Sequence, residues 1–385
     1  MWALLATAAL LLGGGTQSAG AVSLNITGPE QVVFDWDTMH CFPSDGPDGA
    51  TRAFRDSLGR VQLTLNGANT RMIGPDLDNL THDCTVVLQS RYDPLPSNYD
   101  DWLFLGGAYT HDGQEVFRLI HTEYHGREHE GFCMGQFVVS CDFNTITFAR
   151  STDGGASYTH VPAPAHLVAA LPYRYVPSEG RVGYFAPSNI VEKDGFYYSM
   201  VLAALSYKEQ ESGVCLMRTR DLADPRSWRA WDGTGFNARF IDPYRESPEP
   251  YNRHVCEPID REHLGASGAP NRSLTYNTYL GKYVTMGTSV RYDVAQGRDV
   301  RGFYFSLSDD LIHWTELQLI METPLYMCGD PDPAAYPVLL DPDAPDRNLT
   351  ITDRQNYLFF MRHRYSMCQP TGHRDLVRVP IEFTP

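Results

Sequence analysis

The densest run of chemistry-bearing residues is HTEYHGREHEGFC, from His121 to Cys133. In an extended strand alternate side chains share a face, so His121, Glu123 and His125 are expected to project together. A carboxylate beside imidazoles suits general acid–base work, because each group moves the other's pKa toward neutrality. The same set could hold a divalent metal, although the spacing is not the helical H-E-x-x-H of zinc hydrolases. A second run, NRHVCEPIDREH, places His254 and Glu257 on either side of Cys256. If that cysteine is disulfide-bonded, Glu257 sits on a rigid connection and becomes the candidate general acid. Glu123 is then the nucleophile or base, tuned by His121.

Cationic groups form a third set: Arg52, Arg55 and Arg71 early in the chain, and Arg362, His363 and Arg364 late in it. Arginine captures carboxylate or sulfate groups of an acidic sugar in a bidentate fashion, and its ordinary alternative is pairing with Asp and Glu. Within GYFAPSNI, Tyr184 and Asn189 are further candidates, with a backbone hydrogen bond as the competing role for the asparagine. The expected substrate-binding set is Arg52, Tyr184, Asn189, His254, Arg362 and His363. In GDPDP, Asp330 and Asp332 could hold Ca²⁺, but no motif requires a metal or other cofactor. P-loop, dinucleotide and Gly-x-Ser-x-Gly fingerprints are absent from the sequence.

The elements that must position these groups read as strands. Short β-rich runs alternate with polar turns, and the one helical candidate is a short stretch around His166 to Ala170. One unit recurs: a strand, a tight Asp/Gly turn, a second strand, then a small-x-Asp element followed by an aromatic. Copies include YFAPSNIVEKDGFYYSMVLA with Asp221 and Trp228, and SLTYNTYLGKYVTMG with Asp310 and Trp314. Five such units predict an all-β, single-domain, five-bladed β-propeller over residues 22–385. Its blades are placed roughly at 50–115, 100–165, 180–235, 265–325 and 334–385. Asp can bond its own backbone two residues on and fix the turn, while the aromatic packs between blades. A pair of sandwiched sheets is the alternative.

KDGFYY (Lys193 to Tyr198), SDDLIHW (Ser308 to Trp314) and the five-fold count resemble the five-bladed propeller glycosidases of glycoside hydrolase families 43, 32, 68 and 62. STDGGASY (Ser151 to Tyr158) resembles the Asp-box of sialidases. The resemblance implies an active site where the inner strands converge on the axis, with three carboxylates from different blades. Counting back from the hairpin turns, however, Arg52, Ser188 and Ser273 or Leu274 occupy the positions where that pattern places acids.

An apolar run from Leu4 to Leu12, followed by Ala19-Gly20-Ala21, reads as a signal peptide over residues 1–21. All eight cysteines lie beyond it and are expected to form disulfides, Cys133 with Cys141 being the plausible local pair. Asn25, Asn79, Asn271 and Asn348 are N-glycosylation acceptors, expected in surface loops. The net charge of −16 argues against nucleic-acid and anionic-membrane partners. The sequence therefore predicts a secreted, monomeric glycoside hydrolase acting on an extracellular glycan through paired carboxylates. A non-catalytic glycan- or protein-binding propeller and a polysaccharide lyase, with His121 as base, are the alternatives.

Overall fold

The computed structural model describes residues 22–133, 141–177, 180–265, 271–325, 332–366 and 369–385. Its strands gather into five blades, antiparallel within each, and a short parallel pairing of Val182 and Gly183 with Phe143 and Asn144 joins blades 2 and 3. Blade 1 is Ala53–Arg55, Val61–Leu65, Thr70–Gly74 and Thr81–Asp83. Blade 2 is Trp102–Tyr109, Val116–His125 and Asp142–Ser151, edged by Thr159–His160 and Leu167–Ala169. In blade 3, Val182–Phe185 and Val191–Lys193 both pair with Phe196–Ala203, followed by Gly213–Thr219 and Arg229–Ala230. Blade 4 is Ser273–Asn277, Lys282–Asp293, Arg298–Ser308 and Gln318–Glu322. Blade 5 combines Ala334–Leu340, Gln355–Ser366 and Gln369–Thr384 with the N-terminal Ser23–Ile26, which supplies its outer strand.

Each blade has an apolar face that it cannot cover alone, and the buried residues group by blade interface. Phe54 of blade 1 packs with Leu105 and Ile120 of blade 2. Phe117 and Ile146 of blade 2 meet Tyr184 and Met217 of blade 3. Met200 and Leu216 meet Leu274 and Tyr283 of blade 4. Phe303 and Phe305 meet Leu358 and Phe360 of blade 5. The ring closes where Val338 and Phe359 pack on Val61, Leu63 and Met72 of blade 1, with Phe34 between them. This cyclic sequence of interfaces is a five-bladed propeller, not a two-layer sandwich.

The recurring Asp turns lock the blades. Asp76, Asp221 and Asp310 each accept the backbone N–H two residues on, at 2.9, 2.9 and 2.8 Å. The bulky residue that follows packs against the preceding blade. Tyr158 sits between blades 1 and 2, Trp228 between 2 and 3, and Trp314 between 3 and 4.

Two expectations are corrected. The stretch around His166 to Ala170 is not helical. Leu167–Ala169 pairs with Thr147 and Ile146, because blade 2 offers an open edge that takes up its backbone hydrogen bonds. Asn271 and Asn348 are not surface acceptors. Both are buried, and their amides bond the carbonyls of Ala186 and Thr110 across blades. Asn25 and Asn79 are exposed. Disulfides join Cys41 to Cys84, Cys133 to Cys141 and Cys215 to Cys256. The expected signal peptide at residues 1–21, Cys328, Cys368 and Asp330 lie outside the described residues. Among those residues no helix is long and apolar enough to cross a membrane.

Candidate functional site

The five blades converge on a cavity of about 230 Å³. Its lining draws on every blade: Arg52 and Asn66 from blade 1, His121 and Glu123 from blade 2, Arg181 and Phe185 from blade 3, Arg272 from blade 4 and Tyr336 from blade 5. Two strands bulge where they reach it. In blade 2 the register slips between Leu105 and Ala108, across Gly106 and Gly107. A Cβ on Gly107 would lie 2.4 Å from the Ser188 carbonyl oxygen, so glycine lets blades 2 and 3 approach at the axis. In blade 5 the slip between Ala335 and Val338 brackets Tyr336, held at φ 59°. That left-handed backbone is costly for an aromatic residue, and it accompanies a ring that lines the cavity.

Glu123 is the hub of the site. Its carboxylate accepts hydrogen bonds from His125 Nε2 at 2.9 Å and Arg181 at 3.0 Å, and His121 Nε2 lies 3.5 Å away. Burial by itself would raise the Glu123 pKa, but His121, His125 and Arg181 outweigh it and hold the carboxyl down at about 2. Burial pushes His121 down to about 4; Glu123 opposes the shift and Arg181 adds to it. The imidazole is therefore neutral at pH 7. It donates from Nε2 to Asn144 Oδ1 at 3.0 Å, which leaves the Nδ1 lone pair free to accept a proton. His125 behaves oppositely: burial would lower its pKa, but Glu123 and Glu128 on its two ring nitrogens raise it.

Of the expected residues, His121, Glu123 and Arg52 are brought together at the cavity. The others are placed elsewhere. Glu257 is exposed on a connection tied to Trp231, away from the cavity lining, even though Cys256 is disulfide-bonded. Tyr184 is fully buried and donates to Gln210 at 2.6 Å, because its ring is needed between blades 2 and 3. Asn189 accepts from the Leu274 backbone at 3.3 Å and so links blades 3 and 4. His254 Nδ1 pairs with the Arg239 carbonyl at 2.6 Å. Arg362 is taken by Glu30 at 2.7 Å, and buried His363 by the Thr371 carbonyl at 2.9 Å. Arg71 and Arg364 likewise have carboxylate partners.

No family profile matches the chain, and no curated protein matches it either. Solved structures do. A thermostable family-43 glycoside hydrolase is 11% identical, with 91% of this chain and 96% of that one covered and a TM-score of 0.48. A family-32 β-fructofuranosidase from Bombyx mori, solved with sucrose, is 14% identical over 89% and 62% of the two chains, at 0.49. An α-L-arabinanase from Cellvibrio cellulosa is 12% identical over 86% and 90%, at 0.47. The likeness is one of fold.

Sequence reasoning missed Arg181, Arg272, Asp48 and Tyr336. A signal for the arginines exists: the residue immediately before the first strand of blades 1, 3 and 4 is Arg in each case, namely Arg52, Arg181 and Arg272. That position opens toward the axis. Among the described residues the one grouping close enough to ligate a metal is Cys41, His82 and Cys84, whose two sulfurs are spent in a disulfide.

Proposed function

We propose that the protein is an extracellular carbohydrate-active enzyme that processes a glycan at the axial cavity, with Glu123 and His121 as its acid–base residues. One observation carries the proposal: an ionised carboxylate and a neutral imidazole, 3.5 Å apart, face a cavity to which all five blades contribute. The three disulfides support the extracellular assignment. In hydrolysis, Glu123 is the base or nucleophile. Asp48, ion-paired with Arg374, is the other carboxylate lining the cavity among the described residues, and the expected proton donor Glu257 is remote from it.

A second reading, elimination from a uronate-containing chain, is favoured by the free Nδ1 of neutral His121 among arginines. There His121 takes the proton beside the uronate carboxylate, and an arginine neutralises the charge that develops.

The test is a polysaccharide panel assayed both for new reducing ends and for unsaturated uronate. Hydrolysis yields reducing ends alone, whereas elimination yields both. Glu123→Gln is expected to lower kcat by about 10²- to 10⁴-fold with the fold intact. Turnover is expected to survive chelation of divalent metals. Glycan binding by the parent without any turnover would sink the enzymatic proposal and leave a binding propeller.

A further inference from the structure

The charges at the cavity do not cancel. Glu123 is matched by Arg181 at 3.0 Å, and Asp48 by Arg374. Arg52 and Arg272 line the same space and have no carboxylate within ion-pair distance among the described residues. Arg52 is only 2% exposed. It spends one terminal nitrogen on the Thr51 carbonyl and the other on the Pro187 carbonyl, and its Nε has no partner. The Arg272 guanidinium lies 5.2 Å from the centroid of the Tyr336 ring. Burial, with the charges of Arg272 and Arg118, lowers the Arg52 pKa to about 9, while Arg272 is lowered chiefly by burial.

A protein of net charge −16 has acidic side chains to spare, yet among the described residues none is placed against these two cations. A buried Arg52 and a half-buried Arg272 without counter-charges among the described residues are unfavourable in the empty state, and an arriving oxyanion relieves that penalty. The cavity is smaller than the roughly 300 Å³ at which drug-sized pockets begin, so it suits one sugar ring rather than a chain. Phe104 and Phe185 give it apolar walls.

We propose that Arg52 and Arg272 form an oxyanion subsite of the axial cavity that selects a sugar residue bearing a carboxylate or sulfate group. The inference rests on the cavity being the glycan site, but it concerns recognition and needs no turnover. Arginine suits the task because its planar donors meet two oxygens at once.

The experiment is calorimetric titration of the folded protein with glucuronate, a sulfated hexose and the matching neutral hexoses, at low and high salt. The expected result is measurable binding of at least one anionic sugar, weakened by salt, and at least tenfold weaker binding of its neutral counterpart. Whichever anion binds identifies the source. Arg272→Gln should weaken that binding by about ten- to a hundredfold, and Arg272→Lys by less. Arg52 is more deeply built into the fold, so Arg272 is the primary variant, and Arg52→Lys, checked by circular dichroism, is the second. Equal affinity for neutral and anionic sugars, affinity unchanged in Arg272→Gln, or binding of inorganic sulfate without any sugar would each overturn the inference. Turnover of a neutral glycan that Glu123→Gln abolishes, alongside any of those results, would leave the catalytic proposal standing while this one falls.

Discussion

Glu123 and His121 are held in protonation states that burial alone would not give to both. Burial raises the carboxyl, but the surrounding cations reverse the effect and leave it at about 2, below the unfolded value of about 4.3. Its contribution to stability is present above that unfolded value and is lost as the pH falls toward 2. His121 is depressed to about 4 against an unfolded value of about 6.5. Between those two values the unfolded chain binds a proton that the folded chain refuses, so stability rises with pH across that window. The melting temperature is therefore expected to climb between about pH 4 and pH 6.5, and His121→Gln should flatten the climb. His166, also pushed down to about 4 by burial, leaves a residual slope. A variant with the parent's slope would show that His121 is not held neutral. The alternation that places His121, Glu123 and His125 on one face was legible, because a strand of period two depends on local geometry alone. Which arginine would answer Glu123 was not, since Arg181 lies in another blade 58 positions away.

At the scale of elements, the turns were the clearest signal. Asp76, Asp221 and Asp310 bond backbone within a few residues, and such local chemistry survives whatever surrounds it. The bulges were invisible, because each depends on a neighbouring blade. Gly107→Ala tests one of them: its methyl group would meet the Ser188 carbonyl of blade 3, and the expected loss is about 1–3 kcal/mol in urea denaturation. Little or no loss would mean that blades 2 and 3 can separate there without cost. The stretch around His166 to Ala170 shows the opposite limit, since its composition admits a helix and only the edge of blade 2 makes it a strand.

At the scale of the molecule, stability is shared among five interfaces, and the one that closes the ring depends on the N-terminal segment. Ser23–Ile26 and Gln31–Phe34 add to the last strand of blade 5, and fully buried Phe34 packs between blades 5 and 1. Phe34→Ala is expected to cost about 3–5 kcal/mol, read as an earlier denaturation midpoint, although it touches no cavity residue's chemistry. An unchanged midpoint would argue that the ring does not rely on this closure.

The sequence by itself determined the β class, the five-fold repeat, the Asp-locked turns and the acid–base face of one strand, because all of these follow from local periodicity. Tertiary structure alone decided the composition of the cavity. It left Glu257 exposed on a remote connection, gave Arg362 and His363 other partners, and drew in Arg181, Arg272 and Tyr336. Where a side chain meets the axis depends on how blades far apart in the chain are stacked, and no window of residues contains that information.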